Sequence, residues 1–280
     1  MIGRCVASVS RMKLCFSTLA CPTWDLRTIV DTAAANGIEG VDFRGIGDEI
    51  DITKLPAFNA ELDATLGFMR ERNVAMPCLN TSVTLVSPAP ERWQAMLDEC
   101  HRYAQLARRT GTRFIRCFGG EVPSGMTRDE ARAMAQRHLR QLAKICRPND
   151  CQIVLETHDA WSTSAEVLEL VHELSPDEAG VLWDMEHTHR RGEPSRETGE
   201  KLKRYVKHVH IKDSVPKEKK NSPRLLGEGN LPLPEFVAAL RAIGYDEWVC
   251  LETEKRWHAE APEPEQSIPQ FAAYMKALLS

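Results

Sequence analysis

The sequence predicts a single (β/α)8 barrel of the α/β class, formed by residues 1–280 as one domain. Short apolar runs rich in β-branched residues alternate eight times with amphipathic helical patterns, and the composition does not change along the chain. Such alternation indicates parallel strands joined by right-handed crossovers, and eight units are enough to close a barrel. A doubly wound open sheet is the alternative, but no GxGxxG motif follows the first strand.

The first half of the chain contains four predicted strand–helix units. Thr23 is expected to cap the first helix, and Asn36-Gly37 is expected to end it. Thr127 and Glu130 have the spacing of a capping box that opens the fourth helix. The predicted elements are strand 12–18, helix 24–36, strand 40–44, helix 57–72, strand 74–80, helix 88–110, strand 112–118 and helix 127–147.

The second half contains four more units and one long polar segment. Residues 214–230 are too many for an ordinary turn, which indicates a functional loop. Its basic residues Lys217, Lys220 and Arg224 leave two interpretations open, a solvated loop or a lid over a substrate. The predicted elements are strand 152–156, helix 164–174, strand 180–184, helix 195–204, strand 206–210, helix 233–243, strand 247–252 and helix 265–279.

Composition and charge argue against several classes of function. The net charge is −4 and the pI is about 6.2, whereas a nucleic-acid-binding protein usually carries a basic excess. No apolar stretch is long enough to span a membrane, and no secretory signal is recognisable. The nine cysteines include no close CxxC pair, so we expect free thiols and a cytoplasmic protein. One basic cluster is assigned to a solvated helix end and strand: Arg108, Arg109, Arg113 and Arg116.

The last four predicted strands end in residues that commonly bind metals: Glu156, Asp184, His210 and Glu252. In a barrel the C-terminal ends of the strands meet at one mouth, so we expect these side chains around one point. Three carboxylates and one imidazole suit a single divalent ion of intermediate hardness, with Mn²⁺ preferred and Mg²⁺, Co²⁺ or Zn²⁺ as alternatives. A structural ion pair would explain one buried carboxylate, but not four such residues at consecutive strand ends.

Alternation along the strands puts further polar residues on the same face, because side chains two apart in a strand point the same way. His208 is interpreted as a histidine that fills the barrel, and His189 and His258 as surface residues. The shared faces comprise Val154, Glu156 and His158 in one strand, His208, His210 and Lys212 in another, and Trp248, Cys250, Glu252 and Glu254 in the last.

Short motifs at these strand ends resemble those of the sugar phosphate isomerase/epimerase superfamily, the xylose isomerase-like TIM barrels. The resemblance covers essentially the whole chain and is specific for the superfamily, but not for a substrate. The motifs are Leu155-Glu156-Thr157-His158, Trp183-Asp184-Met185-Glu186-His187, His208-Val209-His210-Ile211-Lys212-Asp213, Leu226-Gly227-Glu228-Gly229 and Leu251-Glu252.

The resemblance implies that the four strand-end residues hold the metal and that Glu156 and Glu252 also act as an acid/base pair. The implied substrate contacts are His187, Arg44, His158, Lys212 and Trp257. Arg44 could instead form an ion pair with Asp42 or Asp48.

The expected function is a metal-dependent sugar or keto-sugar isomerase or epimerase that works through an enediolate intermediate. The alternative is a metal-dependent dehydratase of the inosose or dehydroshikimate type, because the same residues support loss of a β-hydroxyl. An endonuclease IV-like activity is disfavoured, since the early strands lack the extra histidines of a trinuclear zinc site. Turns at Gly119-Gly120 and Gly227–Gly229 could hold a substrate phosphate, but the acidic Glu121 and Glu228 beside them disfavour it. We therefore expect a non-phosphorylated carbohydrate or sugar acid. A homo-oligomer is left open.

Overall fold

The computed structural model describes residues 12–217 and 220–280 and has eight parallel strands in one sheet. The strand order is β2-β1-β10-β7-β6-β5-β4-β3, and bridges between Gly40 and Ala75 and between Phe43 and Leu79 join its two edges. The predicted (β/α)8 barrel is therefore confirmed. The barrel strands are β1 Lys13–Ser17, β2 Gly40–Asp42, β3 Cys78–Thr84, β4 Phe114–Phe118, β5 Gln152–Glu156, β6 Ala179–Asp184, β7 Val206–Ile211 and β10 Trp248–Leu251.

Helices alternate with these strands along the chain, as expected for parallel strands joined by crossovers. None of the helices within the described ranges is long and apolar enough to cross a membrane. They are α1 Leu26–Ala35, α2 Leu62–Glu71, α3 Pro90–Thr110, α4 Arg128–Cys146, α5 Ser164–Val171, α6 Met185–Arg190, α7 Ser195–Leu202, α8 Leu233–Ala242 and α9 Pro264–Leu279.

The buried apolar side chains form two separate clusters. The large one joins residues from strands and helices, and the small one comprises four residues of adjacent strands: Cys78, Phe114, Val154 and Leu182. Barrel interiors are usually filled by bulky branched apolar residues. Other interior side chains of this barrel are polar, and such side chains can form a functional site at its mouth.

Local capping agrees with the sequence at one helix and differs at another. The box predicted for α4 is present, because Thr127 and Glu130 each accept a hydrogen bond from the other's backbone N–H. The cap predicted at Thr23 is wrong, since Asp25 caps α1 by accepting from the backbone N–H of Thr28 at 2.8 Å. A carboxylate closer to the first helical turn satisfies its free N–H groups and favours its dipole.

Two predicted segments differ in the structure. β3 begins at Cys78 rather than at residue 74, because Pro77 has no N–H to donate to a strand ladder. The segment 214–230, predicted as a functional loop, contains most of an antiparallel hairpin of β8 Asp213–Lys217 and β9 Lys220–Arg224. Residues 218 and 219, part of the predicted basic lid, lie outside the described residues.

Candidate metal centre

Four side chains meet at the C-terminal mouth of the barrel, as the sequence predicts. Glu156, Asp184 and His210 lie on β5, β6 and β7, and Glu252 directly follows β10. One ligand atom from each residue lies within 4.8 Å of those of the other three. All four residues are buried, and we refer to them as the candidate metal centre.

Several ligand atoms of this centre make no hydrogen bond within the described part of the chain. Glu156 Oε2, Asp184 Oδ2 and His210 Nδ1 are buried and accept or donate no hydrogen bond among the described residues. His210 Nδ1 lies 3.4 Å from Glu156 Oε1 and 3.1 Å from Glu252 Oε1, so the ring nitrogen and the carboxylates face the same space. Buried polar atoms that make no hydrogen bond are costly, and one divalent ion could bind all of them. The residues therefore fit a metal with mixed oxygen and nitrogen ligands.

Two cations border the carboxylates. Arg116 Nε lies 3.2 Å from Glu156 Oε2, and Lys212 Nζ lies 2.8 Å from both Asp184 Oδ2 and Glu252 Oε2. The contacts at Glu156 and Asp184 are ion pairs without hydrogen-bond geometry, whereas Lys212 does donate a hydrogen bond to Glu252. The strand arginine was assigned to solvent from the sequence, and that assignment is wrong because Arg116 is buried.

These charges shift the ionisation of the centre. Burial and the charge of Glu252 would raise the pKa of Glu156, but Arg116 and His210 lower it below its ordinary value. Burial would also raise the pKa of Glu252, which His210 and Lys212 lower well below its ordinary range. Burial would lower the pKa of His210, but the charge of Glu252 and contacts with neighbouring acids raise it well above 6.5. The negative field that attracts this proton equally favours a bound cation.

Asp184 contributes to the centre and to the start of a helix. Its Oδ1 accepts from the backbone N–H groups of Glu186 at 3.0 Å and His187 at 3.2 Å, so it caps α6. Only Oδ2 faces the other ligands. The sequence does not predict this six-residue helix. It brings His187 Nε2 to 3.8 Å from Asp184 Oδ2, next to the centre rather than within it.

A cavity of about 270 Å³ opens beside the centre. Glu252 and Lys212 form its floor, so at least one carboxylate of the centre reaches the space where a small molecule could bind. Its lining also includes the ionisable side chains of Glu186, His187, Glu254 and His258. His258 was interpreted as a surface residue and lines this cavity instead. Larger hollows of about 560 and 550 Å³ lie at the opposite end of the strands, away from the carboxylates.

The β8–β9 hairpin forms one wall of this cavity and is tied to α6. Glu186 Oε1 accepts hydrogen bonds from Ser214 Oγ, from Asn221 Nδ2 at 2.9 Å and from Arg190 Nε at 3.1 Å. Because Glu186 belongs to α6, the helix capped by Asp184 also holds the hairpin in position. The sequence offered no signal for this link, since the partners are distant in the chain.

The turn at Gly227–Gly229, weighed as a phosphate cradle, already holds a carboxylate of the chain. Asp213 Oδ2 accepts from the backbone N–H groups of Gly227 at 2.9 Å and Gly229 at 3.0 Å. Its Oδ1 accepts from Ser214 N at 2.8 Å and Leu231 N at 3.2 Å. A Cβ at Gly229 would lie 2.0 Å from Asp213 Oδ1, so this close approach requires glycine. The turn therefore binds Asp213 and leaves no cradle for a substrate phosphate.

His158 lies beside His187. The two rings are in edge contact with centroids 4.5 Å apart, and His158 Nδ1 lies 2.6 Å from Asp159 Oδ1. Burial would lower its pKa, but the Asp159 carboxylate and the charge of Glu156 raise the pKa of His158 to about 9. His158 therefore supports His187 as a positively charged neighbour.

Three predicted substrate contacts, Arg44, His158 and Trp257, are not among the residues that line the cavity. Arg44 donates to Ser82 Oγ at 2.9 Å, and burial and the charge of Arg116 lower its pKa to about 10. No ion pair among the described residues joins it to either aspartate weighed from the sequence, and Asp42 contacts His208 instead. Trp257 is 56% exposed and is not among the residues that line the cavity. Its role and that of Arg44 remain predictions.

A family model described as the xylose isomerase-like TIM barrel matches residues 30–278. The chain belongs to this family. The match covers all four residues of the candidate metal centre, and it confirms the resemblance inferred from the strand-end motifs. A sequence comparison with curated proteins finds no match.

Solved structures of the same fold include proteins with different activities. The IolI protein with a binding zinc atom is 18% identical, with a TM-score of 0.82 over 96% of this chain and 98% of its own. The probable 3-DHS dehydratase AsbF from Bacillus anthracis is 18% identical, with a TM-score of 0.78 over 96% and 99%. D-psicose 3-epimerase with D-tagatose from Clostridium cellulolyticum H10 is 14% identical, with a TM-score of 0.77 over 96% and 99%. At these identities the likeness concerns the fold.

Proposed function

We propose that this chain is a divalent-metal-dependent isomerase or epimerase that acts on a sugar or keto-sugar. The observation that carries the proposal is the group of three carboxylates and one imidazole within 4.8 Å of one another, beside a polar cavity of about 270 Å³. Membership of the xylose isomerase-like family supports the same reading. The similar folds named for an epimerase of D-psicose and for a zinc-binding protein are consistent with it.

Glu156, Asp184, His210 and Glu252 would hold the metal, with Mn²⁺ preferred because the ligands are three hard oxygens and one nitrogen. When bound, the ion supplies Lewis-acid stabilisation of the negative charge that develops on the substrate oxygens. The chain's own residues carry out the other steps.

Glu252 is the better candidate for removing the proton from the carbon beside the carbonyl. It lines the cavity, so its carboxylate reaches the space where a small molecule could bind. Glu156 would return the proton on the opposite face of the substrate. Lys212 Nζ, in contact with Glu252, can donate to the oxygen on which the enediolate charge develops. His187 would orient a hydroxyl from the cavity wall.

The polar lining favours an uncharged polyol over a phosphate ester. The acids Glu186, Glu252 and Glu254 line the cavity and offset the positive charge of Lys212. Hydroxyl groups can donate to these carboxylates, whereas a phosphate would be repelled by them. The turn at Gly227–Gly229 is already bound by Asp213, which removes the obvious phosphate site.

A metal-dependent dehydratase is the second candidate, because the fold is shared with the probable 3-DHS dehydratase AsbF. The same carboxylate can remove the proton in both reactions. The outcome then depends on whether a neighbouring hydroxyl leaves as water or the proton returns to carbon. The cavity residues do not distinguish the two outcomes, so the experiment has to.

In the deciding experiment, chelator-treated protein is incubated in D₂O with ketoses, aldoses, keto-inositols and sugar acids. Each incubation is run both in the presence and in the absence of added Mn²⁺. Proton NMR should then detect metal-dependent deuterium uptake at a carbon beside a carbonyl, with the carbon skeleton intact. A new alkene or deoxy-keto signal would transfer the assignment to the dehydratase. No exchange with any substrate, in protein that binds one metal, would contradict the proposal for this substrate class.

Two variants test the acid/base pair against one control. Glu252→Gln and Glu156→Gln should each lower kcat by about 10²–10⁴-fold, the usual contribution of a general acid or base. Glu228→Gln changes an exposed carboxylate near the mouth and should leave turnover unchanged. Wild-type turnover in either of the first two variants would contradict the assigned roles.

A further inference from the structure

Four more buried side chains lie one layer below the candidate metal centre. Cys15, Asp42, His208 and Cys250 each offer a ligand atom, and these atoms lie within 4.8 Å of one another. All four residues are 0% exposed. We refer to them as the lower cluster. His208 and Cys250 lie two residues before two members of the metal centre, so they share its interior face.

The lower cluster spans the seam where the first and last barrel strands meet. Its residues lie on β2, β1, β10 and β7, which are neighbours in that order. Cys15 and Cys250 are directly paired across the β1–β10 ladder. Two sulfurs, a carboxylate and an imidazole thus converge on one point from four strands, in a region that barrels usually fill with apolar side chains.

The histidine of the lower cluster has the environment of a metal ligand. His208 Nε2 lies 2.6 Å from Asp42 Oδ2, while its Nδ1 is buried and makes no hydrogen bond among the described residues. Asp42 Oδ1 accepts from the backbone N–H of Cys78 at 3.1 Å, which fixes the carboxylate. Metal-binding histidines commonly donate one ring nitrogen to a carboxylate and bind the ion with the other.

We propose that the lower cluster is a second metal site, which binds a thiophilic ion such as Zn²⁺. The sulfurs of Cys15 and Cys250 and the ring of His208 supply ligands, and Asp42 either completes the set or orients the ring. Each thiol releases its proton to solvent as its sulfur binds the ion, and no oxidation is involved. Two sulfurs, one nitrogen and the Asp42 oxygen give four ligands of the types that Zn²⁺ binds in tetrahedral sites, whereas the oxygen-rich candidate metal centre suits harder ions.

The two sites should therefore separate by metal chemistry. An ion in the lower cluster would tie four strands together at the barrel seam and is expected to stabilise the fold. This inference does not depend on the proposed isomerase activity, because its ligands are different residues and its test measures sulfur coordination.

The experiment uses the full chain, isolated from medium with added Zn²⁺ and, separately, from medium in which Co²⁺ replaces Zn²⁺. X-ray absorption of the zinc protein should detect sulfur neighbours at about 2.3 Å. The cobalt protein should show a thiolate-to-cobalt charge-transfer band, which an oxygen and nitrogen site cannot produce. Zinc with only oxygen and nitrogen neighbours, or cobalt without this band, would overturn the proposal.

Matched variants locate the band. Cys250→Ser should abolish the charge-transfer band and lower the metal content by one equivalent. Asp184→Asn, in the candidate metal centre, should retain the band. Cys117→Ser changes a buried cysteine of β4 outside the lower cluster and should behave as the wild type. A band that survives Cys250→Ser would refute the site. Should Cys250→Ser fail to fold, the sulfur neighbours of the wild-type zinc protein decide alone.

Discussion

Asp213→Asn is expected to cost far more stability than its small change in size suggests. The carboxylate accepts four backbone N–H groups, two on each oxygen: three come from the turn that follows the hairpin and one comes from Ser214. An asparagine side chain has one acceptor oxygen and one NH₂ donor. In either orientation of the amide, the NH₂ group faces two backbone N–H donors and cannot accept their hydrogen bonds. The loss of two charge-assisted hydrogen bonds at about 1.5–3 kcal/mol each gives about 3–6 kcal/mol.

Urea unfolding of wild type and Asp213→Asn would measure this loss from the shift in midpoint at a shared slope. The turn can also open locally, which would limit the effect on global unfolding. Hydrogen exchange at Gly227 and Gly229 would detect such opening as lost protection. Asp246→Asn, at an exposed aspartate, is the control and should change neither quantity. A loss under about 1 kcal/mol with unchanged protection at both glycines would refute the reasoning.

Two further predictions concern packing and ionisation. Gly119→Ala should destabilise the protein by about 1–3 kcal/mol, because its Cβ would lie 2.2 Å from Cδ1 of the buried Trp161. Gly67→Ala, in open space within α2, should instead raise the melting temperature, and the reverse order in a thermal scan would contradict the packing argument. In metal-free protein, His158 should add stability that is fully present below pH 6.5 and is lost as pH rises through about 9, since folding raises its pKa. Urea unfolding across this range should show that loss, and a ring titration by NMR with a pKa near 6.5 would exclude it.

The barrel and the residues of the candidate metal centre could be predicted because both depend on local pattern. Each of the four residues of the centre ends a short apolar run, and strand ends converge in a parallel barrel. Arg116 could not be assigned in the same way, because an arginine in a strand is usually solvated. Its alternation with Phe114 and Phe118 was a usable signal, since residues two apart share a face.

The residues that escaped prediction depend on contacts between distant parts of the chain. Asp42 ends β2, and only the closed barrel brings it to His208, 166 positions later in the sequence. The sequence identified Glu186 only as part of a motif. Its hydrogen-bond partners lie on a hairpin, in a segment that was predicted only as a functional loop. Spacing along the chain carries no information about such pairs.

The double use of Asp184 explains why this position carries an aspartate between two glutamates of the same centre. One of its oxygens is committed to the first amides of α6, and a glutamate would extend the carboxylate one methylene beyond the preferred capping distance. Helix geometry, more than affinity for an ion, therefore selects the side-chain length here. By linkage, if binding at this carboxylate stabilises α6 and, through Glu186, the hairpin, then formation of α6 and the hairpin favours that binding by the same coupling free energy.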